Sequence, residues 1–160
     1  MVNEPPVAKP PVAAVTAPVD NSQQIAAEKK RQQEAAAAAL EQMREKNAIS
    51  AVQRWAAAWS SQDVQSYVSN YVNNYVPGGS DISHSEWVSQ RQDRLGNKKF
   101  IDVKVSRFKV EDLGQRFSVS FSQNYKSNTI NDTITKQLIF VKGSDDWSNA
   151  KIVTENVVSG

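Results

Sequence analysis

At 160 residues, with 22% charged residues and a formal net charge of +2, the chain has room for one ordinary domain plus an extension, and its charge is too balanced to imply a polyanionic partner. It contains no cysteine, which excludes disulfides, thiolate catalysis and thiolate zinc sites. No apolar run approaches the ~20 residues that span a bilayer, and no signal peptide follows Met1, so any targeting segment is expected to have been removed or never to have existed.

Residues 1–20 hold five of the six prolines among Ala and Val. Proline fixes φ and cannot donate a backbone hydrogen bond, so this stretch is expected to be a disordered, semi-rigid linker. From Asn21 to Ala48 the composition turns to Ala, Gln, Glu, Lys and Arg with no Gly or Pro, a polar helical arm of strong helix formers. Its apolar positions do not keep heptad spacing, so a long coiled coil is not supported.

Apolar patterning begins at Ile49, where a domain spanning 49–160 is expected. Ile49, Val52, Ala56 and Trp59 form one helical stripe, with Trp55 beside it,. Ser60-Ser61-Gln62-Asp63 breaks this helix and caps another, in which Val64, Tyr67, Val68, Tyr71 and Tyr75 recur at helical spacing,. Pro77-Gly78-Gly79 ends that second helix. Ser83 with Glu86 forms a capping box for a third, running to about Leu95, in which Trp87, Arg91 and Leu95 share a face,.

The period then changes from 3.6 to 2. Ile101, Val103 and Val105 alternate with polar residues, and the parity reverses at Phe108 and Val110, which predicts a bulge near Ser106–Arg107,. A hairpin turn at Glu111–Gln115 leads to a second strand, Phe117 to Tyr125, with serines on its wet face,. A third strand ends at Val141, and a fourth is expected over Trp147–Val158. The predicted fold class is α+β: three helices packed on a strongly curved four-stranded antiparallel sheet, cone-like, preceded by the helical arm.

Several candidate sites emerge. Gln123 and Tyr125 continue the inward parity of Phe121, and Lys136 lies between Ile134 and Leu138. With Trp87 and Arg91 they are the candidate ligand pocket, suited to a sugar, peptide or carboxylate. A buried network pairing Arg91 or Lys136 with Glu155 explains the same pattern equally well. Arg94, Lys98, Lys99, Lys104 and Arg107 form a candidate patch for an anionic partner, weighed against a solvated edge guarded by charge. No recognised nucleic-acid motif accompanies the patch, so nucleic acid is not the expected partner. His84 stands at a helix start, where exposure is expected and where the positive end of the helix dipole disfavours an imidazolium, which argues against a general base. No catalytic residue, cofactor or metal site is assigned.

The motifs Trp55-Ala-Ala-Ala-Trp59-Ser60, Asp63-Val64 with Tyr67, Trp87 with Arg91 and Arg94, Phe121-Ser-Gln-Asn-Tyr125-Lys-Ser127, Lys136-Gln-Leu138, and Trp147 with Glu155 together resemble the nuclear transport factor two-like (SnoaL-like) fold. Within it, the chain is similar to the bacterial C-terminal domain found on LD-transpeptidase-type and other cell-envelope proteins, from Ile49 to Val158. The resemblance implies a non-catalytic binding or assembly module, periplasmic or envelope-associated, tethered by a segment outside this chain, with a cytoplasmic setting as the alternative. It implies a protein partner or small polar ligand, such as a glycan or peptide, and a homodimer through the sheet. A SnoaL-like enzyme acting on a small molecule and an anion-binding adaptor are the alternative functions.

Overall fold

The computed structural model describes residues 21–160; the linker expected over 1–20 lies outside them. Helix α1, Ser22–Ser60, runs unbroken through the arm and into the folded domain. Contacts divide the chain into two compact units between Ala39 and Leu40. In the first, the residues from Asn21 to Ala39 are exposed on every side, Ile25 included. In the second, Ala48, Ala51, Val52, Trp55 and Ala56 are buried, the i, i+3, i+4, i+7, i+8 stripe of a helix lying against a core.

α1 ends where Gln62 adopts a left-handed φ of 59° and its side-chain amide donates to the carbonyls of Leu95 and Lys98 at 2.6 and 2.8 Å. Asp63 then caps α2, Val64–Val68, accepting from the backbone N–H groups of Gln65 and Ser66,. The second helix is shorter than its sequence pattern: it stops at Val68 rather than continuing to Tyr75. The Asn70 side chain donates to the carbonyls of Ser66 and Tyr67, while the backbone of Asn70 and Val72 bonds to Ile152. Those partners replace the next helical turn. Helix α3, His84–Gly96, begins with the Ser83/Glu86 capping box.

The sheet is an antiparallel meander in the order β1-β2-β3-β4, with β1 Ile101–Asp112, β2 Arg116–Ser127, β3 Asn131–Val141 and β4 Lys151–Ser159. The β1–β2 register shifts between Ser106 and Lys109, and Arg107 takes a left-handed φ of 59°. This is the predicted bulge; it bends β1 so that Phe108 still packs on the core,. Gly114, at φ 96°, makes the β1–β2 turn, a conformation that favours glycine.

β4 begins later than its sequence pattern. Trp147 belongs to the preceding loop, with φ 64°, and its ring stacks on Phe117 at 4.5 Å and 4°. The loop is folded so tightly that a Cβ on Gly143 would collide with the carbonyls of Ser148 and Asn149. Arg44 Nε and Asn47 Nδ2 of α1 hold this loop through the carbonyls of Asp145 and Asp146, at 2.6 and 2.8 Å.

The buried apolar residues of the sheet, among them Val119, Phe121, Leu138, Phe140 and Ile152, share the face turned to Trp55 and Tyr67. The other face carries Ser118, Ser120 and Ser122 in register with Ile139, Gln137 and Thr135. It is therefore small, polar and β-branched. The aromatic residues of β2 are on the core face, because the parity that buries Phe117 and Phe121 turns only the intervening serines outward,.

Candidate functional site

Inside the curve of the sheet, four elements converge on one carboxylate. α1 contributes Trp55 and Trp59, the α2 region Tyr67 and Tyr71, β3 Lys136, and β4 Glu155. Lys136 Nζ donates to Glu155 Oε2 at 2.6 Å, and the Tyr71 hydroxyl donates to Oε1 at 2.7 Å. Trp55 Nε1 donates to the Tyr71 oxygen at 2.9 Å. Tyr67 and Tyr71 are joined oxygen to oxygen at 2.8 Å. Tyr71 has one proton and the carboxylate is the stronger acceptor, so the Tyr67 hydroxyl supplies the proton of that bond. Lys136 Nζ also lies 5.3 and 5.5 Å from the ring centres of Trp55 and Trp59, within cation–π range.

The electrostatics follow from that geometry. Burial disfavours the Glu155 anion, but the charge and hydrogen bond of Lys136, the Tyr71 hydroxyl and the charge of Arg91 outweigh it and hold the pKa below the ordinary value,. Burial, then the Glu155 charge, raises the pKa of Tyr67 and Tyr71 and pushes Tyr75 up to about 12. The network therefore holds an ionised carboxylate, an ammonium and neutral phenols. A general base would have to take up a proton near neutrality, which these neighbours oppose.

Trp87 is buried against Tyr71 and Tyr75, with ring centres 4.8 Å apart in both pairs. Arg91, one turn later on α3, is half-buried in the field of Glu155 and the three tyrosines, and its buried Nε has no hydrogen-bond partner. Gln123 is buried with Oε1 unpartnered. Tyr125 is half-buried, 5.1 Å from Trp59. The structure thus ties Trp87, Arg91, Tyr125 and Lys136 into one aromatic and ionic cluster through Trp59 and the tyrosines. The sequence placed Glu155 only as a partner for Arg91 or Lys136, and it did not identify Tyr71 as the hub. The spacing of Tyr67, Tyr71 and Tyr75 was the available signal, but it was absorbed into a helix that ends before Tyr71.

The other candidates lie elsewhere. His84 is half-buried rather than exposed, its Nδ1 donating to the Tyr75 carbonyl at 2.7 Å. Arg94, Lys99, Lys104 and Arg107 are exposed. Lys98 is half-buried and donates to Thr129 Oγ1 at 3.1 Å, while Lys104 Nζ is 3.7 Å from Asp102. Among the described residues, no group of three or more Asp, Glu, His or Cys is arranged to hold a metal, and no helix is long and apolar enough to cross a membrane.

Comparison with solved structures gives the same architecture. Bd1075 of Bdellovibrio bacteriovorus is 23% identical with a TM-score of 0.58, over 68% of this chain and 38% of that one. The helical cell shape determining protein Pgp2 of Campylobacter jejuni is 18% identical, TM-score 0.54, over 66% and 38%. An NTF2-like protein of unknown function from Shewanella oneidensis is 14% identical, TM-score 0.58, over 71% and 97%. The match therefore spans well under half the length of Bd1075 and of Pgp2. A comparison with curated proteins gives no match. The model of the Cds6 C-terminal NTF2-like domain matches residues 47–156, from the α1 residue that grips the β3–β4 loop to the strand that carries Glu155, and the chain belongs to that family.

Proposed function

We propose that this domain is a non-catalytic binding and assembly module of a bacterial cell-envelope protein. It takes a partner's polar group or a small polar ligand beside Arg91 and self-associates through the serine-bearing face of its sheet. The observation that carries the binding reading is the buried Arg91 Nε without a partner, next to a carboxylate whose two oxygens are already engaged. A guanidinium in that position is an unfilled donor that calls for an acceptor on a ligand. The likeness in fold to a helical cell shape determining protein supports the envelope setting, and so does the resemblance to envelope C-terminal domains.

The test is a titration of the full chain with N-acetylated dipeptides, which present a carboxylate and amides, read by the Arg91 Nε–H resonance and by Trp fluorescence. Binding is expected to shift that resonance and to weaken about tenfold in Arg91→Lys, which keeps charge but loses the planar fork. An unmoved Arg91 resonance at millimolar dipeptide removes the reading. Fractionation of cells producing the native protein tests the envelope assignment; recovery in the cytosol would count against it.

A further inference from the structure

A polar groove, separate from the Glu155 network except at Tyr71, runs along α1, the α2 region and the start of β4. Two cavities of about 610 and 860 Å³ make it, both lined by Ser69, Asn149 and Lys151. No Asp or Glu lines either cavity, in a chain with 17 acidic and 19 basic side chains. Arg54 stands exposed over one cavity with no hydrogen bond or ion pair among the described residues. Lys151 is fixed at the junction by a 2.7 Å bond to the Ser69 carbonyl.

Exposed amides complete the lining. The side chains of Asn73, Asn74 and Asn149 have no hydrogen-bond partner among the described residues. Asn74 and Asn149 sit at left-handed φ of 62° and 60°, a conformation that Asn tolerates better than most residues. Ala57 is exposed on the floor of the first cavity; its small side chain leaves the space between α1 and Ser66 open. An amide offers donors and an acceptor together, which suits vicinal hydroxyls, and Arg54 and Lys151 add fixed positive charge for carboxylates.

We infer that this groove binds an acidic glycan, its hydroxyls on the asparagines and its carboxylates on Arg54 and Lys151. A single-stranded nucleic acid would call for exposed aromatic rings to stack its bases, and of the two rings in the lining Tyr71 is buried and His84 half-buried, its Nδ1 held by the Tyr75 carbonyl. A peptide would call for apolar side-chain pockets; the valines here, Val68, Val72 and Val141, line only the second cavity, and the first, where Arg54 stands, has alanines as its only apolar residues.

The experiment titrates the isotope-labelled full chain with oligogalacturonate, with a neutral dextran oligosaccharide of equal length, with poly-glutamate and with a single-stranded oligonucleotide. Oligogalacturonate is expected to shift the backbone amides of Arg54, Asn73, Asn149 and Lys151. Its affinity should fall at least about tenfold in the Arg54→Gln/Lys151→Gln variant, the scale of one charge-assisted hydrogen bond. It should fall likewise in Ala57→Glu, a substitution on an exposed helix surface, and be unchanged in Arg91→Ala, which separates this site from the one beside Glu155. The inference is overturned if dextran binds equally well, if poly-glutamate or the oligonucleotide binds more tightly, if the shifts fall elsewhere, or if none of the four moves these amides at millimolar concentration.

Discussion

Lys136 shows how one side chain can fix the electrostatics of a core. It is 7% exposed at the side chain and paired with a Glu155 carboxylate that is 18% exposed. Lys136→Met keeps the volume but leaves the carboxylate with Tyr71 as its hydrogen-bond donor and only the more distant charge of Arg91, and breaking a buried pair by removing one partner costs about 3 kcal/mol or more. Chemical denaturation should show that loss, and Lys136→Met/Glu155→Gln should recover part of it. If the double variant is no more stable than the single one, the loss belongs to packing instead. The Glu155 pKa is depressed in the fold, so its contribution is complete above the unfolded pKa of ~4.3 and disappears as pH falls through the lower folded value. Wild type should therefore lose more stability than Glu155→Gln between about pH 5 and pH 2, measured by urea unfolding at each pH. The raised phenol pKa values act at the other end: the stability they confer is complete below ~10 and is lost as pH rises beyond it.

Short-range chemistry decides where the elements begin and end. Asp63 caps α2 with two backbone bonds and a side-chain bond to Ser66 at 3.0 Å; Asp63→Ala should cost about 1 kcal/mol in thermal unfolding. Arg107 holds a left-handed φ at the β1 bulge, where glycine avoids a Cβ penalty of about 1 kcal/mol, so Arg107→Gly should be neutral or stabilising. A clear fall in melting temperature would mean that the arginine side chain contributes contacts of its own. The capping box, the bulge and the three-strand alternation were legible because each is a local pattern: a residue pair three apart, or a parity that reverses. The end of α2 at Val68 and the late start of β4 were not. Both depend on partners far along the chain, Ile152 for Asn70 and Val72, and Phe117 for Trp147, and no local period records them. The site divides in the same way. Inward parity marked Gln123, Tyr125 and Lys136, but the Tyr71 hub needed the loop that carries it out of the helix. The groove escaped notice because its asparagines and Arg54 have no periodicity.

At the scale of the molecule, the outer sheet face is the surface from which assembly can be argued. Its central rows join Lys109, Ser120, Gln137 and Asn156, and then Glu111, Ser118, Ile139 and Thr154, across four strands. Gln137 and Asn156 are already bonded to each other at 3.0 Å. Short side chains in the centre let a second sheet approach closely, with Ile139 as the apolar contribution and little side-chain entropy to lose. The margins carry charge of both signs, so a two-fold arrangement can set Lys109 of one copy near Glu111 of the other. Ser120→Lys/Ile139→Lys would bring four like charges together across such a face while leaving the core side of the sheet untouched. Light scattering on the wild type should give twice the chain mass at micromolar concentration, and the double variant should give the single mass with unchanged circular dichroism. A wild type that stays monomeric at every concentration up to millimolar would remove self-association through the sheet and leave the binding sites to stand alone.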